Sequence, residues 1–157
     1  MPELARLHAQ AMAAGMALGA APGVDLPTLE LSHRAALAEP GRIVLVAERD
    51  GEVVGMAHLV PSSAANAAHR AEVQRVAVAE TARGTGVGRA LMRAVEQAAL
   101  GQGLTLLWLT THDAADACAF YEAVGYAKLG VMPGYSVRPD GTPAPAAFYF
   151  KELRGSP

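Results

Sequence analysis

This 157-residue chain has a single cysteine, only two lysines and no long uninterrupted apolar segment. The lone thiol, Cys118, excludes an intrachain disulfide and a thiolate metal site, and the five histidines show no metal-ligand spacing. No stretch is long enough to span a bilayer, and no basic leader precedes an apolar run. We therefore expect a soluble, cytoplasmic protein without a bound metal.

The charge balance also excludes a class of partner. A net charge of −2 and a pI near 6.2 do not supply the basic stripe that nucleic-acid binding needs. The hydrophobic fraction of 52% and the mean hydropathy of +0.20 are typical of a compact globule. With this length we expect one domain over residues 1–157 with a substantial core.

What the chain does have is a strand, a glycine-rich turn and a helix in succession between Arg70 and Met92. Residues 71–78 alternate and include β-branched side chains, as a strand does. Residues 87–100 repeat apolar side chains at helical spacing. The turn between them, RGTGVG at residues 83–88, places free N–H groups at the positive end of a helix dipole. This pattern predicts an anion site, for which phosphate is the usual ligand.

Two common phosphate loops fail on spacing. A P-loop needs Gly-Lys-Ser/Thr, but Gly88 is followed by Arg89-Ala90. A dinucleotide fingerprint counted from Gly84 and Gly86 needs a third glycine at the position of Arg89. What remains is the pattern Arg-x-x-Gly-x-Gly, which Arg83, Gly86 and Gly88 satisfy.

This loop resembles the pyrophosphate loop of the GNAT superfamily, the acetyl-CoA-dependent N-acyltransferases. The segment FYEAVGY at residues 120–126 resembles the family's second signature, a helix that carries a Tyr and closes on Gly-Tyr. The likeness runs from about Arg42 to Leu153, with the motifs in residues 71–126, and the ending is similar to the tabtoxin-resistance-like members. It implies an α/β fold with a mixed, mostly antiparallel sheet flanked by helices, here without the usual strand before the first helix.

The sequence pattern predicts the following elements: a helix over Leu4–Leu18, a second helix that starts within Asp25–Thr28 and continues over Leu29–Ala38, a hairpin of Arg42–Arg49 with Val53–Val60, strands over Ala71–Val78 and Leu104–Thr110, helices over Val87–Leu100 and His112–Val124, and strands over Ala127–Met132 and Phe148–Leu153. Pro133–Ala147 holds four of the ten prolines and is predicted to be an ordered or semi-ordered loop. Strand alternation predicts that Glu72, Gln74, Val76 and Val78 share a face.

The resemblance implies acetyl-CoA as the acyl donor and assigns two roles in catalysis. Glu72 is the general base that takes the amine's proton; its alternative is a solvent-facing or Arg-paired charge. Tyr121 is the general acid for the departing thiolate; its alternative is a core residue with its hydroxyl at the rim. The residues expected to hold the cofactor are Val76, Ala77, Val78, Arg83, Gly84, Thr85, Gly86, Val87, Gly88 and Arg89.

The sequence leaves the roles of Arg83 and Arg89 open, and it departs from the family pattern before Tyr121. Arg83 and Arg89 add positive charge to the loop, with solvated surface positions as the alternative. Seven residues before its Tyr the family usually has an Asn, and here Ala114 stands there beside Asp113, so no role is assigned to Ala114.

The function implied is transfer of an acetyl group from acetyl-CoA to a primary amine of a small molecule, by direct attack in a ternary complex. An acyl-enzyme route through Cys118 is the mechanistic alternative. A non-catalytic CoA-binding sensor and a nucleotide-binding protein are the functional alternatives. The sequence does not specify the acceptor amine or the oligomeric state, although a homodimer would be common for such a protein.

Overall fold

The structure, a computed structural model, describes residues 1–16, 18–21, 23–138 and 140–153. Its main elements, in chain order, are α1 (Pro2–Ala13), α2 (Leu26–Ala38), β1 (Ile43–Arg49), β2 (Glu52–Pro61), β3 (Arg70–Val78), α3 (Val87–Gly101), β4 (Leu106–His112), α4 (Ala115–Ala123), β5 (Ala127–Val137) and β6 (Pro143–Glu152). None of the helices in these ranges combines the length and the apolar character needed to cross a bilayer.

Six strands form one mixed sheet in the order β1-β2-β3-β4-β6-β5. Every neighbouring pair is antiparallel except β3 and β4, which run parallel. The predicted mixed, mostly antiparallel sheet is therefore confirmed. In the described residues before Ile43 there are helices and no strand, as the sequence predicts.

Alternate residues of β2 enter two different cores. Ala57 and Leu59 lie in the larger core, which α3 and α4 cover. Met56 lies in the smaller core, which α1 covers. Because successive side chains of a strand point to opposite faces, the two cores lie on opposite sides of the sheet. Helix α2 packs beside α1 and adds buried Leu29 and Ala36 on its side.

Helix α3 contributes one continuous apolar stripe to the larger core. Leu91, Met92, Val95 and Ala99 are each at most 3% exposed. Their spacing is that of one face of a helix, which is why the sequence pattern identified this element. The stripe fixes the start of α3, and with it the glycine-rich turn, against the sheet.

Three predicted boundaries differ from the structure. The first helix was expected over Leu4–Leu18, but α1 ends at Ala13; Ala17 lies outside the described residues. Strand β4 extends to His112 and α4 begins only at Ala115. His112 belongs to the strand because it pairs with Ala146 of β6, a long-range partner that a local pattern does not contain.

The predicted loop Pro133–Ala147 is wrong, because most of it forms the end of β5 and the start of β6. Pro139 lies outside the described residues. Pro133 falls where the pairing of β5 with β6 shifts register, and Pro143 is the first residue of β6. β5 is also an edge strand, where a missing N–H need not cost a ladder hydrogen bond.

Candidate active site

Strands β3 and β4 separate in the middle of the sheet. Their parallel pairing covers only Arg70 with Leu106, Ala71 with Leu107 and Glu72 with Trp108. Beyond these pairs β3 continues to Val78, while β4 stays paired with β6 along its whole length. The sheet therefore opens as a fork immediately after Glu72 and Trp108. Along the open edge, main-chain groups of residues 73–78 are not paired with β4.

A β-bulge at Arg75 lies on the open arm of this fork. Two partner pairs define the bulge: His58 opposite Gln74, and Met56 opposite Ala77. Arg75 and Val76 together therefore stand opposite one residue of β2. Arg75 has φ of 51°, which is uncommon for a residue other than glycine.

The bulge corrects one prediction about side-chain direction. Glu72, Gln74, Val76 and Val78 were expected to share a face, but the extra residue reverses the alternation. Val76 packs in the larger core, and Val78 lies 3.7 Å from where a Cβ would stand on Gly88 of α3. Gln74 instead approaches Arg42, on the α1–α2 side with His58. The side chains of Glu72 and Gln74 thus lie on the face of β3 opposite to Val76 and Val78.

Glu72 stands at the branch point of the fork. Its side chain is half-buried, and its Oε2 accepts a hydrogen bond from Nε2 of Gln74 at 2.8 Å. Within the part of the chain that the structure describes, Glu72 forms no ion pair with an Arg, Lys or His, so the Arg-paired alternative is not what is observed. A half-buried carboxylate beside an open edge has the chemistry of a proton acceptor.

Three aromatic side chains lie on the same face of the sheet as Glu72. Trp108, the partner of Glu72 across the fork, is half-buried and stacks parallel to Phe148 with ring centroids 6.3 Å apart. Tyr135 meets Phe148 edge-on at 5.2 Å. These rings come from three strands far apart in sequence, so sequence reasoning missed the wall they form. An ammonium group beside such rings gains cation–π attraction.

The glycine-rich turn presents a row of free backbone donors. The N–H groups of Arg83 and Ala90 donate to the carbonyls of Glu80 and Gly86. For the N–H groups of residues 84–89, which lie between them, no acceptor exists among the described residues. Helix α3 is 15 residues long and starts at Val87. Six consecutive unpaired donors at the positive end of a helix suit an anion, and we call residues 84–89 the cradle.

The two glycines of the cradle are needed for different reasons. Gly86 is the N-cap of α3 with φ of 90°, a left-handed conformation that L side chains rarely adopt. A Cβ on Gly86 would meet no protein atom within 4 Å, whereas one on Gly88 would lie 3.1 Å from the ring of Phe120. Gly88 therefore lets α4 approach the start of α3, a protein contact that the sequence pattern did not reveal.

Three arginines around the loop make different contacts. Arg83 donates to the carbonyl of Val78 at 3.3 Å and stays beside the turn. Arg89 donates instead to the carbonyl of Ala123, at the end of α4. Arg49, at the end of β1, donates to the hydroxyl of Thr85 at 2.7 Å. Sequence reasoning missed Arg49, because only the folded sheet brings it to the loop.

Tyr121 lies on α4 with 7% of its surface exposed. Its ring packs edge-on against Phe120 and Tyr126. Burial raises the pKa of the Tyr121 phenol well above its usual value. The hydroxyl carries its proton at neutral pH, as it would at its usual pKa, and the raised pKa makes it a weaker acid.

Three histidines that the sequence left as isolated residues form a buried cluster on the α1–α2 side. His8, His33 and His58 are all 0% exposed, and Nδ1 of His8 lies 3.1 Å from Nε2 of His33. The rings of His33 and His58 are 5.4 Å apart. Burial, and next the positive charge of Arg75, lower the pKa of His8 and of His33 to about 4 and that of His58 to about 3. All three are neutral at pH 7.

We expect mild acid to destabilise the fold through this cluster. Below pH 6.5 the unfolded chain protonates these histidines, whereas the folded chain does not until about pH 4, so stability falls as the pH drops through that interval. Between pH 7.5 and 5.5 the loss should be roughly 1 kcal/mol for each ring, after allowance for screening. Urea unfolding at the two pH values measures it. The exposed His69→Ala variant should show the same loss, and equal midpoints at both pH values would contradict the explanation.

No group of three or more His, Cys, Asp or Glu side chains among the described residues is arranged to hold a metal ion. The predicted groups are a carboxylate at the fork, a phenol in the larger core on the opposite face of the sheet, and the glycine-rich turn. Asp113, beside the position where the resembling family has Asn, is held by Lys128 at 2.9 Å.

Comparison with known proteins agrees with this geometry. The sequence profile of the acetyltransferase (GNAT) family matches residues 15–126. An IAA acetyltransferase from Azospirillum brasilense is 36% identical over 104 residues, which cover 66% of this chain and 66% of that relative, slightly less than two thirds.

Two solved structures have the same fold. The ribosomal-protein-alanine N-acetyltransferase of Brucella melitensis superposes with a TM-score of 0.71 at 29% identity, over 83% of this chain and 80% of that one. A Salmonella typhimurium protein, solved with its cofactor acetyl-CoA, superposes with a TM-score of 0.78 at 21% identity, over 98% and 88%. The profile match covers well over half of the sequence. The chain belongs to the GNAT acetyltransferase family.

Proposed function

We propose that this protein transfers an acetyl group from acetyl-CoA to a primary amine of a small molecule, by direct attack in a ternary complex within one domain. The observation that carries the proposal is the fork after Glu72 and Trp108, which opens next to a loop with six unpaired N–H groups. A neighbour of the same fold was solved with acetyl-CoA, which supports the choice of donor.

The loop fits a diphosphate through its donors and its charge. Backbone N–H groups of residues 84–89 would hold the phosphate oxygens, with Arg83 and Arg49 beside them. The main chain of Val76–Val78, at the open edge of β3, would hydrogen-bond to the extended arm of the donor and to its thioester carbonyl. Arg89 supports the loop indirectly by binding the end of α4.

The reaction assigns one proton transfer to each of two side chains. The amine nitrogen attacks the thioester carbonyl carbon, so that an N–C bond forms and the C–S bond breaks. Glu72 takes the proton that the amine loses, and Tyr121 gives its phenolic proton to the departing sulfur. The aromatic wall of Trp108, Phe148 and Tyr135 lies on the same face as Glu72 and would flank the entering amine.

A non-catalytic CoA-binding sensor would keep the cradle but would not need an acid and a base around the fork. Calorimetry with acetyl-CoA, followed by a thiol-release assay over amines, amino acids and peptides, separates the two functions. Binding, thiol release and a mass gain of roughly 42 Da on one amine, as one acetyl group replaces a hydrogen, would together support the transferase. Binding without transfer to any acceptor supports the sensor, and a preference for ATP or NAD over acetyl-CoA supports a nucleotide-binding protein.

Two substitutions on α4 distinguish direct attack from an acyl-enzyme route. Sγ of Cys118 lies 3.8 Å from Oδ1 of Asp113 and 3.9 Å from Nζ of Lys128. We expect Cys118→Ala to leave turnover unchanged and Tyr121→Phe to lower kcat about tenfold or more, because the phenolic proton is lost. Thiol release under saturating acetyl-CoA measures both. Loss of turnover in Cys118→Ala, with an acetyl-enzyme detectable by mass in the parent, would establish the covalent route instead.

A further inference from the structure

A row of four side chains connects the interior of the α1–α2 side to Glu72. Nη1 of Arg42 lies 3.2 Å from Nδ1 of His58 and 3.4 Å from Oε1 of Gln74. Nε2 of Gln74 then donates to Oε2 of Glu72 at 2.8 Å. Arg42 is anchored at its other edge, where Nε donates to Oε2 of Glu39 at 2.8 Å. Its side chain is only 9% exposed.

The chemistry of arginine fixes the direction of every bond in this row. A guanidinium has donors and no acceptor, so the amide atom of Gln74 that faces Arg42 must be the oxygen. The amide nitrogen then faces Glu72, and the carboxylate oxygen there must accept. For the same reason Nδ1 of His58 must be the unprotonated nitrogen of a neutral ring. The row therefore holds Oε2 of Glu72 in one hydrogen bond, with Gln74 as its donor.

We infer that Gln74 is a positioning residue that orients the Glu72 carboxylate, and that Arg42 sets the direction in which Gln74 donates. The inference rests on the proposed function, since it matters for turnover only if Glu72 is the base. Gln74 lies on the same face of β3 as Glu72 because both precede the bulge. The other charged groups of this region are Arg75, which donates to Ser32 of α2, and exposed Glu39.

The main test removes the donor without changing the size of the side chain much. We expect Gln74→Leu to lower kcat about tenfold, with the acetyl-CoA Kd and the amine KM unchanged. In a Glu72→Gln background the same substitution should cause no further loss. An equal loss in both backgrounds would show that Gln74 has only a structural role.

The role of Arg42 is tested by a matched pair. Arg42→Lys keeps a donor that can face Oε1 of Gln74, whereas Arg42→Leu leaves the amide free to turn its oxygen toward Glu72. We expect Arg42→Lys to retain several-fold more kcat than Arg42→Leu, and the difference should vanish in a Glu72→Gln background. Thermal unfolding of both variants checks that the fold survives. Equal kcat values for the two variants would overturn the role assigned to Arg42.

A third measurement separates failure of this inference from failure of the proposed function. The side-chain amide resonances of Gln74, assigned by their absence in Gln74→Leu or by sequential NMR, should shift with pH in the wild-type chain and not in Glu72→Gln. This readout needs no turnover and, when the resonances are assigned sequentially, no folded Gln74 variant. A pH-dependent shift without any acetyl transfer would retain the contact and reject the proposed function. Transfer that depends on Glu72, with a pH-independent amide, would reject the inference alone.

Discussion

Glu72→Gln should lower kcat/KM for the amine about 10²- to 10⁴-fold, the range expected when a general base is removed. The substitution keeps the size of the side chain and removes its ability to accept a proton. It leaves the cradle and the open edge of β3 untouched, because Glu72 lies on the α1–α2 face at the branch point of the fork. We therefore expect the acetyl-CoA Kd to stay within about twofold of the parent value.

Thiol release measures the loss, and calorimetry measures the donor affinity. Glu3→Gln is the matched control, since Glu3 is an exposed carboxylate in the first turn of α1 and belongs to none of the groups assigned to the site. Its kcat/KM should equal that of the parent. Full activity in Glu72→Gln, with the fold intact by circular dichroism, would remove the general base from the proposed reaction.

Gly86→Val should weaken acetyl-CoA binding at least about tenfold. Gly86 has φ of 90°, and a β-branched residue there costs roughly 1–2 kcal/mol of strain or moves the backbone. Since no protein atom lies within 4 Å of its Cβ position, the new side chain would stand in the space in front of the cradle. Relief of the strain would also change the direction in which the unpaired N–H groups of residues 84–89 point.

Gly103→Val separates strain from binding. Gly103 has φ of 74° and, like Gly86, an open Cβ position, but it lies beyond the opposite end of α3. Both variants should lose similar free energy of unfolding by urea titration, while only Gly86→Val should lose affinity for acetyl-CoA by calorimetry. A Gly86→Val protein that binds acetyl-CoA as tightly as the Gly103→Val protein would mean that the loop is not the diphosphate site.

The parts of the site that lie on one continuous segment were predictable from the sequence. The glycine-rich turn, the start of α3 and the stripe of Leu91 and Val95 all depend on contacts between residues a few positions apart. The position of Glu72 near the start of β3 followed from strand alternation alone. The alternation failed at Arg75, because a bulge is set by the register with β2 and leaves no clear mark in β3.

The side chains that surround these parts could not be predicted in the same way. Arg49 reaches Thr85 from 36 positions away, and Arg42 reaches Gln74 from 32. The end of β5 and the start of β6 were missed because Pro133 and Pro143 are tolerated only at a register shift and a strand end, which the pairing of β5 with β6 decides. The buried histidines appeared unrelated because α1, α2 and β2 each contribute one.

The sequence alone determined that this protein has a strand, a glycine-rich turn and a helix in succession, with a carboxylate on the strand, since periodicity and glycine spacing act over short distances. Only the tertiary structure decided that the sheet opens beside that carboxylate, that aromatic rings border it, and that Gln74 and Arg42 hold it. These features depend on strand register and on side chains brought together from distant segments, and a one-dimensional pattern carries no information about either.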